Sequence, residues 1–88
     1  MAALHLVNKP AALAACLRVA AEDDAVLLLE DGVYAAARKL APNRPLNALE
    51  VDVRARGLAD RLAAQVDVVS DAQFVMLVES HQPVVTWR

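Results

Sequence analysis

Isoleucine is absent from the 88 residues, glycine occurs twice, and only Tyr34, Phe74 and Trp87 are aromatic. Two glycines, Gly32 and Gly57, cannot build a phosphate cradle, and neither GxGxxG nor a P-loop is present. HExxH and CxxC are missing too. With two histidines and one cysteine the chain offers no zinc site, and no cofactor is expected. A lone Cys16 cannot close an internal disulfide, which fits a reducing compartment. The longest uninterrupted apolar run, residues 11–17, is seven residues, and residues 25–29 and 74–78 are five each, all far below the roughly 20 that span a bilayer. Residues 1–7 lack the basic start and long apolar core of a signal peptide, so a cytoplasmic protein is expected. Neither sign of charge dominates. A net charge of −2, with no acidic or basic tail, argues against a general nucleic-acid or anionic-membrane binder.

What the chain has in excess is small and branched apolar side chains. Ala (19), Leu (13) and Val (13) carry the hydrophobic share to 58%, whereas soluble domains run at about 45–50%. A chain of this length buries only about 63% of its unfolded surface. One domain over residues 1–88 is therefore expected, disorder is excluded, and a partner subunit is the economical home for the surplus.

Periodicity gives an alternating order of elements. Leu4, Leu6 and Val7 belong to a short apolar run that stops at Asn8-Lys9-Pro10. Leu13, Cys16, Leu17 and Ala20 then share one helical face. Residues 25–29 are apolar on both faces, as in a parallel strand covered by helices on both sides. Beyond Glu30-Asp31-Gly32, a stripe of Val33, Ala36, Ala37 and Leu40 predicts a second helix closed by Arg38-Lys39. Ala41-Pro42-Asn43-Arg44-Pro45 reads as a loop. The following stretch supports two readings. Leu49, Val51 and Val53 alternate as in a strand, while Val51, Ala55, Leu58 and Leu62 step as in a helix. Residues 65–69 form a further strand, and Ser70 with Gln73 forms a capping box at the head of a helix that Pro83 stops. Val84-Val85-Thr86 adds a short edge strand. The sum is an α/β fold of three layers, with a mostly parallel sheet of four to five strands flanked by helices.

Few residues could carry chemistry. Glu30 and Asp31 lie where α/β sheets bind ligands, beyond a strand's carboxyl end; their plainer reading is a polar strand end that caps the next helix. Cys16 is the only soft nucleophile, yet it shares a face with Leu13 and Leu17, so packing competes with reactivity. Trp87 is suited to covering a core edge or an interface, His5 to a structural place in the first strand, and His81 to a helix C-terminus. Residues 22–31 hold five acids and no base, whereas residues 38–61 hold six of the nine cations. That basic band suits a carboxylate-bearing partner or an RNA phosphate, or simply solvated helix faces.

Leu4-His5-Leu6-Val7-Asn8, Leu27-Leu28-Leu29-Glu30-Asp31-Gly32-Val33-Tyr34-Ala35, Ala48-Leu49-Glu50-Val51-Asp52-Val53-Arg54-Ala55-Arg56-Gly57-Leu58, residues 68–75, His81 and Trp87 together resemble the DsrH/TusB family of small sulfur-relay subunits. The resemblance implies a DsrE-like fold and a place in a heterohexamer of the DsrEFH or TusBCD kind, beside DsrE/TusD-like and DsrF/TusC-like subunits. Such complexes relay persulfide sulfur to a DsrC/TusE-like acceptor, for wobble-uridine 2-thiolation of tRNA or for sulfur oxidation, without direct nucleic-acid or membrane binding. The main sulfur-carrying cysteine belongs to the DsrE/TusD-type subunit. Cys16 matches the first-helix cysteine of DsrH-type members, which makes it a candidate persulfide carrier; the alternatives are a scaffold subunit and a free-standing small-ligand-binding module. Glu30, Asp31 and Trp87 remain candidates for binding or interface roles. The resemblance also places a strand at residues 46–49 and a helix start near Asp52.

Overall fold

Runs of Leu, Val and Ala too short for helices become the strands. The computed structural model describes residues 2–88, so Met1 of the opening stretch lies outside it. Five strands, β1 (Leu4–Val7), β2 (Ala25–Leu28), β3 (Leu46–Leu49), β4 (Val66–Val69) and β5 (Val84–Trp87), pair in parallel in the order β4-β3-β2-β1-β5. From β1 to β4 the chain steps to the next neighbour each time. From β4 it returns across the whole sheet to reach β5 beside β1. Right-handed crossovers place the first three connections on one face and the last on the other.

Alternation along each strand divides the core accordingly. On the first face Val7, Val26, Leu28, Leu46 and Ala48 meet Leu13 and Cys16 of α1 (Leu13–Val19), Val33 and Ala36 of a 3-10 segment (Glu30–Ala36), and Val53 of α2 (Glu50–Ala55). On the second face Leu4, Leu27, Leu49 and Val69 meet only Phe74 and Leu77 of α3 (Asp71–Ser80). No residue of α3 is fully buried, and Val75, Met76 and Val78 are exposed. A groove of about 540 Å³ runs beside α3, with Asn47, Asp67 and Met76 among its lining residues.

Local chemistry sets the helix ends. Pro10 opens a 3-10 turn (Pro10–Ala12) that leads into α1, where its missing N–H is no loss. Ser70 Oγ accepts from the Gln73 N–H at 3.2 Å, and the Gln73 side chain accepts from the Ser70 N–H at 2.8 Å, so the expected capping box is formed. After six residues α2 stops in a Schellman arrangement: Gly57 N–H bonds Arg54 O, Leu58 N–H bonds Val53 O, and Gly57 takes a φ of 64°.

The structure departs from two expectations. The helix expected through Leu40 is a 3-10 segment that stops at Ala36. Ala37 is extended and forms an antiparallel bridge with Leu62, which leaves Leu40 66% exposed and Arg38 and Lys39 outside any helix. Competition for the backbone explains this: Arg38 N–H bonds Arg61 O and Ala63 N–H bonds Ala36 O, both at 2.9 Å, where an α-helix would need the same groups. In the ambiguous stretch, β3 ends at Leu49 and α2 begins at once. It buries Val53 and leaves Val51 56% exposed, so neither sequence pattern named the inward face correctly.

Gly32 is buried where its segment crosses the end of β1. A Cβ there would stand 2.0 Å from Val7 O, a main-chain atom with no room to withdraw, whereas a Cβ on Gly57 meets nothing within 4 Å. Gly32→Ala is expected to cost about 3 kcal/mol or more through overpacking, and Gly57→Ala about 1–2 kcal/mol through its left-handed backbone. Urea unfolding of the two variants tests that order; equal losses would show that the close approach relaxes freely.

Candidate functional site

Two polar groupings and one thiol stand out against the apolar core. The first grouping gathers at the amino-terminal side of β1 and β2. His5, on β1 and 3% exposed, places Nε2 2.8 Å from Asp24 Oδ2, while Trp87 Nε1–H donates to His5 Nδ1 at 3.0 Å. An indole N–H can only donate, so Nδ1 accepts and Nε2 carries the hydrogen that Asp24 receives. Asp24 also accepts from the main-chain N–H of Ala3 and of Ala21, each at 2.9 Å. These bonds, led by the one from His5, hold its carboxyl at about 2, below the usual carboxylate range. Arg44 closes the arrangement by donating to the carbonyls of Ala21 and Asp24.

Cys16 lies in the middle of α1 and is fully buried, at 0% exposure. Burial pushes its thiol up; the positive charge of Arg44 opposes this and the Asp24 carboxylate reinforces it. A thiolate is the nucleophile in sulfur chemistry, and here the surroundings favour the neutral thiol.

The second grouping stands at the carboxyl ends of β2 and β3. Glu30 takes a positive φ of 51°, and its N–H donates to Asp52 Oδ2 at 2.7 Å. Arg56 donates to Asp31 Oδ1 through Nε at 3.1 Å and Nη2 at 2.9 Å, and its Nη1 lies 3.5 Å from Asp52 Oδ1. The Asp31 carboxylate raises the guanidinium's pKa, and Tyr34 lies 6.0 Å beneath it. Glu30 and Asp31 therefore do not cap the segment they begin through their side chains; Asp31 binds α2 to it instead. At the end of β1, the buried Asn8 Oδ1 has no hydrogen-bond donor among the described residues.

The sequence candidates fall apart in space. Glu30 and Asp31 follow the end of β2, whereas Asp24, whose charge reaches Cys16, precedes its start. Trp87 joins His5, a pairing across 82 residues that carries no local signal. Asp24 and Arg56 escaped sequence reasoning because each looks like an ordinary solvated charge until its partner is in view. His81 behaves as expected, its Nδ1 lying 2.8 Å from the Leu77 carbonyl at the end of α3. Among the described residues no group of three or more His, Cys, Asp or Glu could hold a metal ion, and no helix is long and apolar enough to cross a membrane.

Comparison with known proteins agrees with this architecture. The family model described as "DsrH like protein" matches residues 8–84. Proteins named TusB from Yersinia pestis (strain Pestoides F) and Yersinia pseudotuberculosis (serotype O:1b) are each 42% identical to this chain, over 85% of it and 86% of their own length. The crystal structure of the ychN protein from E. coli superposes with a TM-score of 0.71 at 19% identity, covering 98% of this chain and 99% of that one, which bears on the fold alone.

The depressed carboxyl of Asp24 gives a signed expectation. Its folded pKa of about 2 lies below the ordinary 3.8, so the ionised form stabilises the fold above about pH 4, and that contribution is lost as pH falls towards 2. Asp24→Asn should lower stability at neutral pH and flatten the dependence on pH between 4 and 2, as followed by urea unfolding across that range. An unchanged slope would show that Asp24 is not the titrating group.

Proposed function

Because this chain belongs to the DsrH family, we propose that it is an organising subunit of a sulfur-relay complex and holds DsrE/TusD-like and DsrF/TusC-like neighbours in place. The observation that carries this reading is the bare outer side of α3. One sheet face rests on a single ten-residue helix, whose Val75 and Met76 are 53% and 67% exposed. Parallel sheets have both faces covered as a rule, and an apolar helix face beside an open groove is the kind of surface a homologous subunit buries.

Within that complex Cys16 acts as a packed core residue, and the sulfur is carried by a partner. Full burial and a raised thiol pKa support this reading over the carrier role that its place in the first helix suggests. The acceptor is a DsrC/TusE-like protein in the cytoplasm. Relatives named TusB favour service in tRNA 2-thiolation over sulfur oxidation. Glu30, Asp31 and Trp87 serve the fold and its interfaces.

Co-expression with the two homologous subunits of the same organism, followed by native mass spectrometry, should give a complex with equal numbers of the three chains. A chain that stays alone would defeat the reading. Met76→Glu should weaken assembly by about tenfold or more while leaving the chain's own stability within about ±0.5 kcal/mol, since the Met76 side chain is mostly exposed.

Cys16→Ser should leave sulfur transfer by the assembled complex intact, although a buried unpaired hydroxyl costs about 1–3 kcal/mol. A mass gain of about 32 Da on Cys16 peptides after exposure to a persulfide donor, lost together with transfer in Cys16→Ser, would restore the carrier role.

A further inference from the structure

The bridge between Ala37 and Leu62 does more than end a helix. It ties two loops with two main-chain bonds, Arg38 N–H to Arg61 O and Ala63 N–H to Ala36 O. Arg38, Lys39 and Arg61 are thereby held around one pocket of about 570 Å³, which Ala37 and Leu40 also line. Other cations of the basic band are engaged: Arg54 meets Glu50, Arg56 meets Asp31 and Asp52, and Arg44 is taken up by two carbonyls. Among the described residues no carboxylate lies within ion-pair distance of Arg38, Lys39 or Arg61. Arg38 is anchored through one Nη2 bond to the Asp60 carbonyl, and most of a guanidinium's five N–H donors remain for another acceptor. Leu40, two-thirds exposed, adds an apolar surface that like charges alone would not need.

We propose that this pocket docks an acidic segment of a protein partner, with a carboxylate set among Arg38, Lys39 and Arg61 and an apolar side chain laid against Ala37 and Leu40. Charge complementarity selects the carboxylate, since arginine forks match its two oxygens. Two observations favour a peptide over RNA. Single-stranded nucleic acid is held by aromatic stacking as well as charge, and none of Tyr34, Phe74 and Trp87 lines the pocket. A polyanion would also meet a chain whose net charge is already −2. The inference stands apart from the sulfur-relay reading and does not fail with it.

The test is fluorescence anisotropy on the full chain with three labelled probes: an octapeptide of alternating Glu and Leu, the same peptide with Gln for Glu, and a uridine decamer. At about 50 mM salt, where surface charges are weakly screened, the Glu peptide should bind at least about tenfold more tightly than the Gln peptide. Arg38→Gln with Arg61→Gln should remove about tenfold of that affinity, and Lys39→Gln, which disturbs no main-chain contact, several-fold. The single Lys39 variant keeps the proposal open to refutation if the double variant fails to fold. Three results overturn it: no binding of the Glu peptide below about 1 mM, equal binding of the Glu and Gln peptides, or affinity unaffected by either variant. Tighter binding of the uridine decamer through the same cations also overturns it and assigns the pocket to nucleic acid.

Discussion

Each strand of a parallel sheet presents side chains to two faces, and the whole of this molecule is arranged around how unevenly the two are covered. Stepwise connections from β1 to β4 spend three crossovers on one face, where Leu13, Cys16, Val33 and Val53 close over the strands. A single long return spends one helix on the other, where only Phe74 and Leu77 reach the sheet. The excess of Ala, Leu and Val follows that asymmetry. On the crowded face even the small side chains of Ala35, Ala36 and Ala48 are buried; on the sparse face Val75, Met76 and Val78 stay exposed.

Polar groups do their work at the two ends of the sheet. At the amino-terminal end, Asp24 gathers the His5 ring and two main-chain N–H groups, joining the lead into β1 to the turn before β2. His5 passes the connection to β5 through Trp87. At the carboxyl end, Arg56 and Asp52 bind α2 to the 3-10 segment at Asp31 and Glu30. Chemistry that local reading would assign to a ligand is used here to fasten one crossover to the next.

Elements decided by local physics were legible in the sequence. Residues 25–29 read as a strand covered on both sides because they are apolar at every position, and Ser70 with Gln73 announced a helix start through two bonds that span only three residues. Residues 30–40 were misread because the choice between α-helix and 3-10 segment is made elsewhere, by the Val7 carbonyl against Gly32 and by the Arg61 and Ala36 carbonyls. Val51 and Val53 differ in burial by the angle at which α2 leaves β3, which no periodicity encodes. The candidate residues were named one by one, but their partners were not, since Trp87 finds His5 and Arg56 finds Asp31 only once the sheet has brought distant segments together.

Trp87 is the chain's only tryptophan, and it sits on the last strand with its indole N–H committed to the ring of a residue on the first. Every photon of indole emission therefore comes from the seam between β1 and β5. A change in its colour or yield reports the state of that one edge, and does so without a label, in the presence of any partner that lacks tryptophan.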